Sequence, residues 1–175
     1  MSRKIQYDHN FKILLIGAPA VGKTSLVNRF VHGKMRDDYV LTIGMEPYTK
    51  YEKVDGKQLC YTIFDIAGTQ QFSKLRQMFF RGSKGALVVF DLTRKDTFDS
   101  VQTWLEDAKA VEPDQIFILV GNKADLDNQR KVKKTTAERL AKKLGCLTYI
   151  ETSAKTGKLV NIAFNALGAE IIKHL

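Results

Sequence analysis

Residues 17–24 read GAPAVGKT: Gly17, four residues, then Gly22-Lys23-Thr24, set between the apolar run FKILLIG and the helical run SLVNRFV. Glycines at these points let backbone N–H groups turn inward around phosphates. Lys23 reaches β and γ phosphate groups, and the Thr24 hydroxyl is a ligand for Mg²⁺. A helix opening at this loop adds a favourable dipole. A second cluster is FDIAGTQQF, residues 64–72, in which Asp65 closes an apolar run to face a metal ion and Gly68 follows three residues later. Next comes Thr69, where a water-positioning Gln would serve a phosphate-cleaving site. The string thus leaves open whether the protein cuts a phosphate or holds one.

The base-reading chemistry lies in GNKAD, residues 121–125. A carboxylate at Asp125 accepts from both N1–H and the N2 amine of guanine, whereas adenine presents an acceptor at N1. A site left with unpaired buried polar groups rejects the wrong ligand by factors of ~10⁴ or more. Asn122 is placed to brace the loop and Lys123 to lay its stem over the base. In ETSAK, residues 151–155, the Ala154 N–H is a candidate donor to the guanine oxygen.

The elements that position these strings follow from periodicity. Strands are expected at FKILLIG, YTKYEKV, LCYTIFD, GALVVFD, QIFILVG and CLTYIE. Four of these are nearly continuous apolar runs, the pattern of strands covered on both faces. Phe98, Val101, Leu105 and Ala108 mark one helix, and Leu159, Ile162, Ala163, Ala166 and Leu167 another. Thr135 with Glu138 forms a capping-box pattern, with Ala137, Leu140, Ala141 and Leu144 as the apolar face and Gly145 as the left-handed cap. Alternating strands and helices imply a mostly parallel sheet with helices on both faces, binding ligands beyond the carboxyl ends of its strands.

At 175 residues and 44% hydrophobic, the chain is expected to form one domain over 1–175, with a short extension at 1–10. Cys60 and Cys146 are too few for a disulfide framework, so a reduced interior is expected. A signal-peptide reading of ILLIGAPAV fails because Asp8, His9 and Lys12 interrupt it and cleavage would split the phosphate motif. No apolar run approaches the ~20 residues needed to span a bilayer. Much of the +9 charge (28 Lys+Arg against 19 Asp+Glu) falls in RKVKKTTAERLAKKLG, a solvated helix face without aromatic interleaving, so no nucleic-acid partner is expected.

Taken with GKTSLVNRFV, TIG, FRGSKGALVVFDLT, GNKADL and ETSAKTG, the sequence resembles a Ras-superfamily small GTPase, closest in style to the Rab branch, over residues 11 to 172. The resemblance implies a P-loop NTPase three-layer α/β sandwich, with a six-stranded mostly parallel sheet and five helices. It also implies Mg²⁺, GTP or GDP as ligand, and two switch segments that order around GTP. By that match Thr42 senses the metal and the γ-phosphate, Asp65 is the metal-side carboxylate and Gly68 is the backbone donor to the γ-phosphate. Thr24, Thr42 and Asp65 are then the metal set, and Lys23, Thr42, Gly68 and Thr69 the catalytic set. Gly17, Ala20, Val21, Gly22, Ser25, Met35, Tyr39, Asn122, Lys123, Asp125, Ser153, Ala154 and Lys155 complete the nucleotide site.

Three positions depart from the family pattern. Thr69 replaces the usual Gln, as in the Rap branch, and predicts unaided hydrolysis of order 10⁻⁴ s⁻¹ or less, with Gln70 and Gln71 as alternative water-positioning residues. Pro19 stands where most relatives carry Gly or a small residue; it lacks an N–H and stiffens the loop, which is expected to remain functional. Met35 stands where relatives place an aromatic ring against guanine, giving a softer contact and faster nucleotide loss.

The expected function is a cytoplasmic, monomeric molecular switch that binds GTP, hydrolyses it slowly and offers Ile43, Phe64, Phe72 and Leu75 to effectors. Phe72 and Leu75 are equally readable as core under a helix. Exchange and activating partners are expected at the switch segments, and no residue stands out in sequence as an arginine finger in cis. The rival reading is a GTP-locked interaction scaffold that Thr69 keeps hydrolysis-deficient. A metabolite kinase is disfavoured by GNKAD and by the lack of a lid with paired arginines. With no Cys after Cys146 and Ser2 in place of Gly, no lipidation site is expected within these residues; either the C-terminus is trimmed or the protein works without a lipid anchor, in which case its basic charge is expected to give only weak, salt-sensitive peripheral contact with the cytosolic face of membranes.

Overall fold

The computed structural model describes residues 5–35, 40–69 and 73–175. Six strands form one sheet in the order β2-β3-β1-β4-β5-β6. They are β1 His9–Ile16, β2 Met45–Val54, β3 Lys57–Ile66, β4 Ser83–Asp91, β5 Ile116–Asn122 and β6 Thr148–Glu151. Only the β2–β3 pair is antiparallel, with Met45 opposite Ile66 and Val54 opposite Lys57; the other pairs are parallel. The central strands are apolar on both faces because helices cover both, which is why their sequences do not alternate. β2 runs past the sequence expectation at its start and alternates half-buried and exposed residues, as an edge strand with one wet face should.

The helices are α1 Lys23–His32, α2 Ser73–Phe80, α3 Lys95–Asp99, α4 Val101–Val111, α5 Lys134–Leu144 and α6 Val160–Lys173, with a 3₁₀ turn at Ala124–Gln129. Six α-helices are thus seen among the described residues where the resemblance implies five, because the helix expected through Phe98 and Ala108 is interrupted at Ser100. One face of the sheet carries Ile13, Leu15, Tyr61, Ile63 and Val89 against Phe30 of α1 and Phe164 and Leu167 of α6. The other carries Leu14, Ile16, Val88 and Phe90 against Trp104 and Leu105 of α4 and Ala137 and Ala141 of α5.

Two local expectations are corrected. α5 starts after Lys133 (φ −71°, ψ 141°) with no side-chain cap bond, so Thr135 lies inside the first turn and no capping box forms; Gly145 closes the helix in the left-handed region (φ 72°) as expected. The buried face of α6 is Val160, Ala163, Phe164, Leu167 and Ile171, whereas Leu159 and Ile162 are exposed. The face turns because the Phe164 ring stacks on Phe30, centroids 4.1 Å apart, and that large aromatic contact outweighs two aliphatic ones.

The sheet order reverses direction around β1, whose neighbours are β3 on one side and β4 on the other. The carboxyl ends of β1, β3, β4 and β5 deliver the phosphate loop, Asp65, Asp91 and Asn122 to the crevice at this switch point.

Candidate functional site

The loop between β1 and α1 is shaped by two glycines that tolerate no side chain. Gly17 has φ 141° and a Cβ there would collide with the Val89 carbonyl oxygen; Gly22 has φ 97° and a Cβ there would meet Asn122 Nδ2. Five consecutive carbonyls of the loop are taken by side-chain donors. Lys23 Nζ donates to the Gly17 and Ala18 oxygens at 2.9 and 2.7 Å. Arg94 Nη1 donates to Pro19 O at 3.2 Å, Lys123 Nζ to Ala20 O at 3.1 Å, and Asn122 Nδ2 to Val21 O at 2.9 Å. With its carbonyls held this way, the loop can offer its N–H groups to an anion. Burial pulls the Lys23 ammonium down to about 8, opposed by the Asp65 charge.

Beside Lys23, three oxygen-bearing side chains converge. Thr24 Oγ1 donates to Asp65 Oδ2 at 2.5 Å and lies 2.8 Å from Thr42 Oγ1, which itself donates to Asp65 Oδ2 at 3.2 Å. Asp65 is fully buried, and its Oδ1 has no hydrogen-bond partner among the described residues. Burial pushes its carboxyl above the ordinary range, against the bond from Thr24. A buried orphan carboxylate oxygen flanked by two hydroxyls is an all-oxygen donor set, which fits a small hard cation such as Mg²⁺.

A cavity of about 500 Å³ opens from this corner, walled by Lys23, Thr24, Ser25, Met35, Thr42 and Gly68 among others. Gly68 packs on the phosphate loop so closely that a Cβ would collide with the Pro19 nitrogen. The Thr69 hydroxyl is buried with no partner among the described residues, while the Thr69 carbonyl accepts from Arg76 Nη1 at 2.8 Å. Arg76 is itself held over the Trp104 ring, 4.4 Å from its centroid. Tyr39, Gln70, Gln71 and Phe72 lie outside the described residues. Of the expected effector contacts, Ile43 and Leu75 are exposed, and Phe64 is half-buried with Lys12 Nζ 4.4 Å above its ring.

At the other end of the crevice the base-reading strings meet. Buried Asn122 accepts from Thr152 Oγ1 at 3.1 Å and from the Ala154 N–H at 3.4 Å while donating to Val21 O. Asp125 is exposed, one carboxylate oxygen accepting from buried Ser153 Oγ at 2.7 Å. Lys123 sits in the left-handed region (φ 68°) and pairs with Asp91 Oδ2 at 2.7 Å. Arg29 of α1 donates to the carbonyls of Ala154 and Lys155 at 2.8 and 2.6 Å, tying the ETSAK loop to the phosphate-binding helix. Asp91, Arg29, Arg76 and Arg94 were not singled out in sequence. The one available signal was Asp91, the terminal carboxylate of the apolar run GALVVFD, which pairs with Asn122 across the β4–β5 register.

A phosphate cradle behind β1, an oxygen cation corner and a carboxylate-bearing base loop at one switch point define a P-loop nucleotide-binding protein. The comparisons with known proteins narrow that class: residues 12–173 match the Ras family model, and the chain belongs to that family. It is similar to the Ras-related protein Rab-13 of Mesocricetus auratus, 36% identical over 167 residues that cover 95% of this chain and 82% of that one. The chain is a Rab-like GTPase of the Ras superfamily, a small GTP-binding switch. Among the described residues no helix is long and apolar enough to cross a membrane.

Proposed function

We propose that residues 1–175 act as a single GTP-binding domain, preceded by a short extension at 1–10, that hydrolyses GTP slowly and signals through its switch segments. The observation that carries this reading is the capture of five successive phosphate-loop carbonyls by side-chain donors, beside an orphaned Asp65 oxygen. Lys23 holds the β and γ phosphates, with the N–H groups of Ala20, Val21, Gly22, Thr24 and Ser25 around them. Thr24, Thr42 and Asp65 hold Mg²⁺, which when bound supplies positive charge at the phosphate oxygens. Gly68 contributes its N–H toward the terminal phosphate. Asp125, braced by Ser153, reads the guanine edge, Ala154 and Lys155 close over the base, and Asn122 and Lys123 hold that loop to the phosphate loop. Met35 contacts the base, and Tyr39 is assigned to the same pocket.

Hydrolysis in this class depends on positioning. Thr69 is shorter than Gln and cannot hold water at two points. Unaided turnover is therefore of order 10⁻⁴ s⁻¹ or less. Exposed Ile43 and Leu75 are proposed effector contacts, engaged in the GTP state by a monomeric, cytoplasmic protein. Single-turnover hydrolysis of preloaded GTP, wild type beside Thr69→Gln, tests the reading: a slow wild type and a several-fold faster variant support it. Retention of uncleaved GTP by both would replace it with a GTP-locked scaffold.

A further inference from the structure

Arg29 belongs to none of the strings that read the nucleotide, yet it places three donors at the edge of the base site. Nε donates to Ala154 O at 2.8 Å, Nη2 to Lys155 O at 2.6 Å and Nη1 to Gly33 O at 2.9 Å. All three acceptors are neutral backbone carbonyls, so the guanidinium sets geometry rather than neutralising a charge. Nε and Nη2 meet two successive carbonyls, a planar fork that fixes direction as well as distance. The third donor closes on the end of its own helix, where Gly33 sits in the left-handed region (φ 73°) and its N–H returns to Arg29 O at 2.9 Å. The neighbouring Phe30 is buried and stacked on Phe164, which locks α1 against α6. Arg29 thus stands on a fixed helix six residues, or about 9 Å, beyond Lys23.

These bonds bear on one half of base recognition and not on the other. Ala154 is buried, and its carbonyl is held by Arg29. Its N–H reaches only Asn122 Oδ1 at 3.4 Å, beyond the roughly 2.7–3.2 Å of a good N–H···O bond, so that donor keeps capacity for a stronger acceptor. Asp125, which reads the N1 and N2 side of guanine, has separate support. Ser153 Oγ donates to it at 2.7 Å, and Ser153 is buried and tied within its own turn: its N–H donates to Lys158 O at 3.1 Å and its carbonyl accepts from the Gly157 N–H at 2.8 Å.

We propose that Arg29 is a specificity-determining positioning residue: from α1 it holds the Ala154–Lys155 backbone where the Ala154 N–H meets O6 of guanine. This rests on the guanine-binding reading of the site. Without the fork, both carbonyls turn to water, and the loop keeps the Ser153 brace on Asp125 but loses the fixed approach of its N–H to O6. The loss falls on recognition of position 6 of the purine and spares recognition of the 2-amine.

The test compares three diphosphates on the full chain with Mg²⁺, by competition against a fluorescent GDP. GDP is the reference. 6-Thio-GDP keeps N1–H and the 2-amine but presents a larger, weaker sulfur acceptor at position 6, and IDP keeps O6 but lacks the 2-amine. Wild type is expected to prefer GDP over 6-thio-GDP by about two- to tenfold, the span of one net hydrogen bond. Arg29→Ala is expected to release GDP about tenfold faster and to bring the GDP to 6-thio-GDP ratio near one, with the GDP to IDP ratio unchanged. Arg29→Lys, which keeps the charge but not the fork, is expected to fall between, and it carries the test if Arg29→Ala does not fold. A residue that merely stabilises the fold would lower the melting temperature and weaken all three diphosphates by one factor, so both ratios preserved in the variants would overturn the proposal. A wild type that binds GDP but does not distinguish the sulfur would overturn it as well, leaving the nucleotide site standing. A wild type that binds no GDP would instead overturn the guanine-site reading itself.

Discussion

Asn122→Ala removes the side chain through which the base loop, the ETSAK loop and the phosphate loop are joined. Asn122 is buried, and its amide serves three partners at once: Val21 O at 2.9 Å, Thr152 Oγ1 at 3.1 Å and the Ala154 N–H at 3.4 Å. Alanine orphans all three, and Thr152 has no access to solvent to make good the loss. At about 1 kcal/mol for each lost bond the cost is about 3 kcal/mol, with the long Ala154 contact the weakest contributor. In a chain of this size that lowers the melting temperature by roughly 6–12 °C. Because the loops would then have to be ordered by the ligand, GDP affinity falls by up to about a hundredfold. Stopped-flow release of a fluorescent GDP and thermal unfolding of the GDP-loaded protein read the two effects. Asn122→Asp sharpens the test: it preserves volume and acceptor capacity but sets a carboxylate against the Val21 carbonyl, and is expected to be at least as damaging. Wild-type release rates and melting temperature in both variants would refute the claim that Asn122 joins the three loops.

Met35→Phe restores a ring to the cavity wall that Met35 lines, and is expected to slow GDP release by about two- to tenfold, the equivalent of a 0.5–1.5 kcal/mol aromatic contact; an unchanged rate would show that residue 35 does not touch the base. The hydrogen bonds from Arg130, both at 2.8 Å, hold the Glu151 carboxyl below its ordinary value of 4.5 against the effect of burial, with Tyr149 adding to them. A depressed folded value means that this stabilisation is complete above about pH 4.5 and is lost as pH falls through the folded value, so the melting temperature should fall more steeply below pH 4.5 in wild type than in Glu151→Gln, and parallel curves would count against the pair.

The parts of the molecule that were legible in sequence are those written in contiguous residues. Four apolar runs announced strands covered on both faces, and the strings 17–24, 64–69, 121–125 and 151–155 each fall at the end of a strand or at the start of the loop beyond it. What a string shows is a local constraint, such as the left-handed backbone at Gly22 that excludes a side chain. The errors have the same origin. A capping-box pattern at Thr135 and an aliphatic stripe through Leu159 and Ile162 are local regularities; the helix starts too early for the first, and the second yields to the Phe30–Phe164 stack.

The residues that sequence reasoning passed over are mostly side chains that bond to a distant backbone carbonyl. Arg94 reaches Pro19 across 75 positions, Lys123 reaches Ala20 across 103, and Arg29 reaches Ala154 across 125. A carbonyl acceptor has no residue identity, so such a bond leaves neither a periodicity nor a paired motif to find. Only Lys123 was seen, because it stands in a string recognisable for another reason. Yet these bonds decide which way the phosphate loop faces. Its glycines make the inward turn of the N–H groups sterically allowed, and the captured carbonyls select that turn from the alternatives open to a flexible loop. The anion-binding property of GAPAVGKT is therefore shared between the string and donors on α1, the loop after β4, and β5 with the residue after it. Grafted without them, the same eight residues would keep the freedom to turn but lose the reason to turn inward.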